Sequence, residues 1–221
     1  GPVSVPKSFL VSMYRNAMKL NKLISRIIDF RKLESGKLKL EPQSLNLVTF
    51  CKDLTVDYEA LCQQKNIIFH FLPSRTIIRV EFDPEKMEIL LSNLISNAFK
   101  YTPEGGKIVL SIDETDEKVT LVVEDNGIGI QKEFQEVIFD RFFQIENTEI
   151  FSTGDGIGLS FVKHLVELHD GTIRVESELN KGAKFIVELP KKERVDEPVS
   201  SEEEIIIVPK SVKENMLVVT E

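Results

Sequence analysis

The spacing of apolar and polar positions changes along the chain and separates a long first helix from a mixed region. From Phe9 to Leu33 apolar residues recur every three or four positions, and Gly36 ends this pattern. The spacing predicts one continuous helix with a wide apolar stripe. A stripe of this width suits burial on two sides in a helical bundle or a dimer seam, while an ordinary core helix has the same spacing.

Beyond this helix the pattern alternates between strand-like and helical spacing. Asn46 and Asp83 occupy predicted helix N-cap positions, and Pro84 follows Asp83 at the first helical position, where its missing N–H costs nothing. The predicted elements are an edge strand around 38–40, a helix over 45–65, strands over 67–72 and 77–82, a helix from 84 ended by 102–106, strands over 107–112 and 119–123, a helix over 158–169, and strands over 172–178 and 183–189.

A glycine-containing turn, Asp125 to Ile130, directly follows the predicted strand over 119–123. Gly127 and Gly129 can adopt positive φ and permit another molecule to approach the backbone closely, while Asp125 offers a hydrogen-bond acceptor at the rim of the sheet. The pattern is typical of a site that holds a small planar ligand with a donor group. Taken alone, such a pattern is more often a plain chain reversal.

Three polar side chains share one face of the helix that begins at Pro84. Asn93 and Asn97 are four residues apart, and Lys100 is three residues beyond Asn97. An amide oxygen is a suitable ligand for Mg²⁺, and a lysine can pair with phosphate oxygens. Tyr101 adds a ring that could flank a base. A solvated polar face is the alternative interpretation of the same residues.

A second glycine cluster, Gly154, Gly156 and Gly158, precedes the predicted helix over 158–169. The N–H groups and dipole of a helix N-terminus favour phosphate, so this cluster is a candidate anion site. It is neither a Walker A loop, because no GK[ST] follows, nor a Rossmann fingerprint, because no strand immediately precedes it.

Composition narrows the function classes. The chain has 221 residues, 42% of them hydrophobic, and a formal net charge of −8. This length supports one compact domain with flanking segments, and the acidic balance argues against nucleic-acid binding.

Cys51 and Cys62 are predicted on one helix, roughly 16 Å apart along its axis and too distant to bridge. No membrane span or signal peptide is visible, and Gly1-Pro2 resembles the remnant of a removed tag, which suggests a piece of a longer protein.

Five motifs in order then carry a family resemblance. NLISNAFKYTP, VEDNGIGI, IFDRFF, GDGIGLS and GTIRVESELNKGAKFIVELP resemble the N, G1, F, G2 and G3 boxes of the ATP-binding domain of sensor histidine kinases. The segment LISRIIDFRKLESGKLKLEP resembles the end of the second helix of the kinase dimerisation domain. The resemblance covers about residues 10–190.

The resemblance implies an α/β (α+β) fold of the Bergerat or GHKL type, a two-layer sandwich of a mixed sheet and helices, preceded by one long helix. It implies ATP and Mg²⁺ as ligands, with Asp125 accepting from the adenine amino group and a lid over 141–153. Asn97 would be the metal ligand, and Asn97 and Lys100 the catalytic pair. The nucleotide-binding residues implied are Asn93, Asn97, Lys100, Tyr101, Asp125, Gly127, Ile128, Gly129, Arg141, Gly154, Gly156, Gly158 and Leu159.

The chain departs from the family pattern at two places. Gln144 stands where a second basic lid residue is common, which leaves Arg141 as the nearest cation, and no phosphoacceptor histidine with an acidic neighbour lies on the first helix. His70, His164 and His169 are interpreted as structural or surface residues. In the related hydrolases a Glu one turn before the metal-binding Asn is the general base. Asn93 occupies that position here and cannot take a proton, which favours phosphoryl transfer over hydrolysis.

We therefore expect three parts: residues 1–36 as the partial second helix of the dimerisation domain, 37–190 as the catalytic ATP-binding domain, and 191–221 as a linker with the possible start of a receiver domain. Residues 205–208 are apolar enough to pair with a sheet edge. Residues 216–221 are similar to the first strand of a receiver, which indicates a hybrid kinase. The expected partners are a histidine-bearing helix, a response-regulator receiver and a second copy of the full-length protein. The domain is expected in the cytoplasm, beneath a membrane-anchored parent.

Two other functions compete with this interpretation. A nucleotide-silent scaffold could retain the same fold, and an anti-sigma-type serine kinase shares the nucleotide site but is disfavoured by the long helix before Gly36.

Overall fold

The protein is described from a computed structural model that covers residues 38–143 and 156–191, together with positions 6, 9–14, 16–18, 20 and 31. The positions described between 9 and 31 are helical, in agreement with the predicted first helix. The rest of that helix, the segment 144–155 and the tail 192–221 with its predicted strands lie outside the described residues. No helix among the described residues is both long and apolar enough to cross a membrane.

A mixed five-stranded sheet packs against helices in two layers, which confirms the predicted fold class. The strands run in the order β2-β4-β5-β7-β6, with β2 parallel to β4 and the other pairs antiparallel. A separate two-stranded sheet pairs β1 with β3. The elements are β1 Gln43–Asn46, α1 Leu47–Val56, α2 Glu59–Lys65, β2 Ile68–Pro73, β3 Arg79–Phe82, α3 Pro84–Tyr101, β4 Lys107–Glu114, β5 Lys118–Asp125, α4 Gly158–Leu168, β6 Thr172–Glu178 and β7 Gly182–Pro190, with short 3-10 helices at Lys132–Phe134 and Val137–Phe139.

The core lies between the sheet and the helices α3 and α4. Alternate residues of β4, β5 and β7 face the helices, and α3 and α4 bury an apolar face against them. The buried side chains include Ile108, Leu110, Ile112, Val119, Leu121, Val123, Phe185, Val187 and Leu189 from the sheet, and Leu90, Leu91, Leu94, Ile95, Phe161, Val162, Leu165 and Val166 from the helices.

Two predicted elements near the start of the domain are wrong. The edge strand expected around Leu38 and Leu40 is irregular chain, and β1 begins only at Gln43, after Pro42. Proline has no N–H to contribute to a ladder, so pairing with β3 starts beyond it.

The single helix predicted over 45–65 is instead two helices, α1 and α2, separated at Asp57 and Tyr58. A tertiary contact accounts for the break: the Tyr58 ring stacks on Phe99 with centroids 5.4 Å apart, and its hydroxyl donates to the Ser92 carbonyl at 3.4 Å. Cys51 and Cys62 therefore lie on different helices, and both are free thiols.

The predicted N-caps are both confirmed. The Asn46 side chain accepts from the Val48 N–H at 3.2 Å, and Asp83 Oδ1 accepts from the Lys86 N–H at 3.1 Å. These bonds satisfy N–H groups that the first turn of a helix leaves without intrahelical partners.

Asp83 also joins three parts of the domain. Its second carboxylate oxygen accepts from the Glu41 N–H at 2.9 Å, and its own N–H donates to His169 Nε2 at 3.2 Å. His169 Nδ1 lies 2.7 Å from the carbonyl oxygen of Leu165 and must carry the proton, because a carbonyl only accepts. Both residues are buried, and His169 is a structural histidine, as expected.

We predict that Asp83→Ala lowers the free energy of unfolding by about 2–3 kcal/mol, because it removes a helix cap and leaves a second N–H without an acceptor. Asp83→Asn retains one acceptor oxygen and should lose about half as much. Urea denaturation followed by circular dichroism measures both, with the exposed Asp113→Ala as the control. Equal losses for the Asn and Ala variants would contradict the two-oxygen role.

Candidate functional site

Asp125 is a carboxylate on the core side of the sheet. Along β5 the side chains of Val119, Leu121 and Val123 point into the core, and strand alternation places Asp125 on the same face at the end of the strand. Only 8% of its surface is exposed. The sequence therefore builds an acceptor into the rim of an otherwise apolar layer.

Burial raises the pKa of Asp125 above its ordinary value, because the charged form is separated from water. Hydrogen bonds from the N–H groups of Gly127 and Ala183 counteract the burial and lower the pKa. The first of these bonds joins Gly127 N to Asp125 Oδ1 at 2.8 Å. The carboxylate is thus oriented by backbone donors in surroundings that strengthen any hydrogen bond it accepts.

The predicted reason for the two glycines of the turn needs correction. We expected Gly127 and Gly129 to permit close approach of another molecule, but the nearest atoms belong to the protein itself. A Cβ on Gly127 would collide with the carbonyl oxygen of Tyr101, and one on Gly129 with the carbonyl oxygen of Glu178. Gly129 has φ +68°, whereas Gly127 does not have positive φ. The glycines therefore allow the turn to pack against the end of α3 and the end of β6.

The asparagines of α3 differ in their surroundings. Asn93 is buried, and its Nδ2 donates to the Ile89 carbonyl at 2.7 Å. A Cβ built on Gly158 would lie 3.2 Å from Asn93 Oδ1, so Asn93 meets the start of α4. Asn97, one turn further along α3, is half-buried. A solvated polar face therefore does not describe Asn93.

The end of α3 brings a cation and a phenol together. Lys100 Nζ lies 2.9 Å from the Tyr101 hydroxyl and 4.7 Å from the centroid of the Tyr101 ring. The backbone of Tyr101 meets the glycine turn, with Ile128 N donating to Tyr101 O at 3.4 Å. The ammonium group is thus held at the same end of α3 as Asp125.

The N-terminus of α4 has no side-chain cap among the described residues. Its N-cap, Ile157, forms no side-chain capping bond, and Gly158 and Leu159 in the first turn are half-buried. Just before α4, Phe142 N donates to Gly156 O at 2.9 Å. This bond joins the start of the predicted lid to the glycine cluster that follows the lid. Arg141 lies exposed beside this junction, and Gly154 lies outside the described residues.

Four of the predicted site residues lie on one stretch of α3, and both the glycine turn and the start of α4 contact this stretch. Asn93 contacts the start of α4, and Tyr101 contacts the glycine turn, with Asn97 between them. Eight residues of helix span about 12 Å. The N-terminus of α4 and the buried Asp125 carboxylate therefore stand at opposite ends of this stretch.

The donor set is suited to a metal that arrives with phosphate. No group of three or more His, Cys, Asp or Glu side chains capable of holding a metal occurs in the described part of the chain. Mg²⁺ commonly takes one or two protein oxygens and completes its shell with substrate phosphates and water. The half-buried Asn97 amide fits that mode.

Sequence reasoning missed the residues that hold the glycine turn from outside. Ser177 Oγ accepts from Ile130 N at 2.8 Å, and Gln135 Nε2 donates to Ile130 O at 3.0 Å. Gln135 lies in none of the five motifs, and Ser177 lies within the fifth but is not among the site residues that the resemblance implies. Gly182, which lies in the same motif as Ser177, has φ +95° and packs against the backbone of Asp125.

Comparison with known proteins identifies the class to which this fold and site belong. Residues 82–193 match the family described as histidine kinase-, DNA gyrase B- and HSP90-like ATPase. The matched region contains α3, the glycine turn, α4 and the five-stranded sheet except β2. The chain belongs to this family, which confirms the expected nucleotide-binding fold.

The relatives that the chain resembles in sequence include histidine kinases. The chain is 38% identical over 194 residues to Histidine kinase P4 of Formosa agariphila, covering 86% of this chain and 14% of that protein. It is 34% identical to Hybrid signal transduction histidine kinase D of Dictyostelium discoideum, covering 83% and 12%. The chain thus spans less than a fifth of the length of these relatives.

A solved structure agrees with the sequence relationship. The catalytic domain of histidine kinase ThkA superposes with a TM-score of 0.62 at 33% identity, covering 69% of this chain and 99% of that domain. ThkA has also been solved in complex with response regulator protein TrrA, with a TM-score of 0.65 at 26% identity, covering 86% of this chain and 53% of the ThkA chain.

We predict that Gly129→Ala destabilises the domain more than Gly105→Ala. Both glycines have positive φ, but a Cβ at Gly105 meets nothing within 4 Å. Gly105→Ala should therefore cost only the left-handed conformation, about 1–2 kcal/mol, whereas Gly129→Ala adds a collision with Glu178 that costs about 1–3 kcal/mol more. Urea denaturation compares them, and equal losses would contradict the close packing of the turn on β6.

The raised pKa of Asp125 predicts a pH-dependent stability. Between the unfolded and folded pKa values the folded state binds more protons, so the free energy of unfolding falls as the pH rises through that window. Asp125→Asn removes this titration. At neutral pH the variant should be at least as stable as the wild type, and the wild type should gain stability relative to the variant as the pH is lowered through the raised pKa.

Urea denaturation of both proteins at a series of pH values measures this difference, and the exposed Asp113→Asn serves as the control. A variant that is less stable at neutral pH by an amount independent of pH would contradict the desolvation of Asp125.

Proposed function

We propose that this chain is the ATP-binding catalytic domain of a two-component sensor histidine kinase, which transfers the γ-phosphoryl group of ATP to a histidine on the dimerisation domain. The observation that carries the proposal is the placement of α3 between the buried Asp125 carboxylate and the uncapped N-terminus of α4. Membership of the ATPase family and relatives that are histidine kinases support it.

Each end of the site suits one part of ATP. Asp125 accepts from the exocyclic amino group of adenine, with Gly127, Ile128 and Gly129 forming the wall beside the base. At the other end, the N–H groups of Gly156, Gly158 and Leu159 face the phosphates. Lys100 contributes positive charge once its ammonium group turns from Tyr101 towards the phosphates, and Arg141 contributes a second cation from the lid. Gly154 belongs to the glycine hinge that follows the lid.

The chemistry requires positioning and charge neutralisation more than proton removal. An imidazole nitrogen of the partner helix attacks the γ-phosphorus while the bond to the bridging oxygen breaks, leaving ADP. Asn97 holds Mg²⁺, which neutralises the phosphate oxygens when bound. Asn93 stands where a hydrolase would need a general base, and its amide, bonded to Ile89 O, cannot act as one.

The proposal also covers the full-length protein of which this chain is a part. Apolar side chains of the first helix, including Leu10, Met13 and Leu20, are more than half exposed, and we assign residues 1–36 to the second helix of a dimerisation domain that pairs with a second copy. By analogy with the ThkA complex, a response-regulator receiver accepts the phosphoryl group. A receiver whose first strand begins near residue 216, a membrane anchor and a cytoplasmic location complete the proposed architecture.

Calorimetry with Mg-ATP tests the site. We expect binding at one site per chain, and Asp125→Asn should weaken it by about 10- to 100-fold, because a charged acceptor of a buried hydrogen bond is lost. Asp113→Asn, an equivalent change at an exposed position, should bind as the wild type does. Absence of binding by the wild type would indicate a nucleotide-silent scaffold.

Radiolabelled ATP tests the transfer itself. A separately supplied helix fragment that carries the acceptor histidine should become labelled in an acid-labile, alkali-stable form. Acid-stable label on serine would indicate a serine kinase instead.

A further inference from the structure

Four hydrogen bonds form a cluster around Ile130, the last residue of the glycine turn. Ser177 accepts from Ile130 N at 2.8 Å and donates to Gly182 O at 2.6 Å. Gln135 Nε2 donates both to Ile130 O at 3.0 Å and to Ser177 O at 2.8 Å. Two half-buried side chains therefore fasten both main-chain groups of Ile130 to the hairpin formed by β6 and β7.

The same hairpin contacts the turn at two more places. Asn180 N donates to Ile128 O at 2.7 Å, and the backbone of Asp125 packs directly on Gly182. The turn itself contains two glycines, whose backbones have more freedom than that of any other residue. Its position relative to Asp125 thus depends on these external bonds.

We propose that Ser177 and Gln135 are positioning residues that set the preference of the site for adenine over guanine nucleotides. The inference rests on the proposed function, since it concerns the base that Asp125 recognises. Neither residue needs to touch the nucleotide. They act through Ile130, which closes the turn that begins at Asp125.

The chemistry of the two bases explains why position matters. Adenine presents an amino donor where guanine presents a carbonyl oxygen, and a buried carboxylate attracts the first and repels the second. A site built to hydrogen-bond a substrate N–H discriminates strongly only if its acceptor is held in place. A turn released at Ile130 lets the base shift away from Asp125, which weakens ATP binding and relieves the repulsion of GTP.

Calorimetry with Mg-ATP and Mg-GTP on the 221-residue chain tests the inference. Ser177→Ala should weaken ATP binding about tenfold and lower the ATP-to-GTP affinity ratio at least fivefold. Ser177→Thr, which keeps the hydroxyl, should restore both values. Gln135→Met, similar in shape but without a donor, should shift the ratio in the same direction, and it decides the question if Ser177→Ala does not fold.

Ser111→Ala on β4 is the matched control and should leave both affinities unchanged. A Ser177→Ala protein that melts at a lower temperature but keeps the wild-type ATP-to-GTP ratio would overturn the inference, because the bonds would then stabilise the fold without affecting recognition. Wild-type protein that binds neither nucleotide would overturn the proposed function as well, so the two failures are distinguishable.

Discussion

Direct main-chain contact fixes the glycine turn after β5 between the end of α3 and the end of β6. The turn after β5 touches the carbonyl of Tyr101 at the end of α3 and the carbonyl of Glu178 at the end of β6. Such contacts are possible only where the side chain is a single hydrogen, because a Cβ would occupy the space of a carbonyl oxygen. The glycines at 127 and 129 thus bring the helical layer and the sheet edge together, and Asp125 stands at their junction.

This junction places a carboxylate where an apolar side chain would be more stable. Asp125 continues the inward face of β5, and burial raises the pKa of its carboxyl group despite two backbone donors. Burial largely excludes water from the Asp125 carboxylate. A ligand with a hydrogen-bond donor would compensate part of the hydration that this carboxylate has lost. The burial that destabilises the free protein therefore also strengthens any hydrogen bond that Asp125 accepts.

The helices α3 and α4 form a pair joined at two points. At the start of α3 Asp83 donates its N–H to His169, and further along α3 Asn93 meets Gly158. The two contacts show that the helices run antiparallel, so the start of α4 faces the middle of α3. An uncapped helix N-terminus and the polar face of α3 consequently belong to one site, although more than fifty residues separate them along the chain.

The sequence alone was sufficient wherever a local pattern had one physical solution. Alternating apolar residues located β5, and Asp83 followed by Pro84 located the start of α3, since caps and strand alternation depend on near neighbours. The five ordered motifs also identified the family and most of the proposed site.

Contacts between residues distant in the chain were decided only by the tertiary structure. The break at Tyr58 arises from stacking on Phe99, and β1 begins after Pro42 because its partner is β3. The burial of Asn93 and the bonds of Ser177 and Gln135 likewise leave no mark in local spacing. Propensity and periodicity act over a few residues, whereas these positions were determined by elements that meet only when the chain is folded.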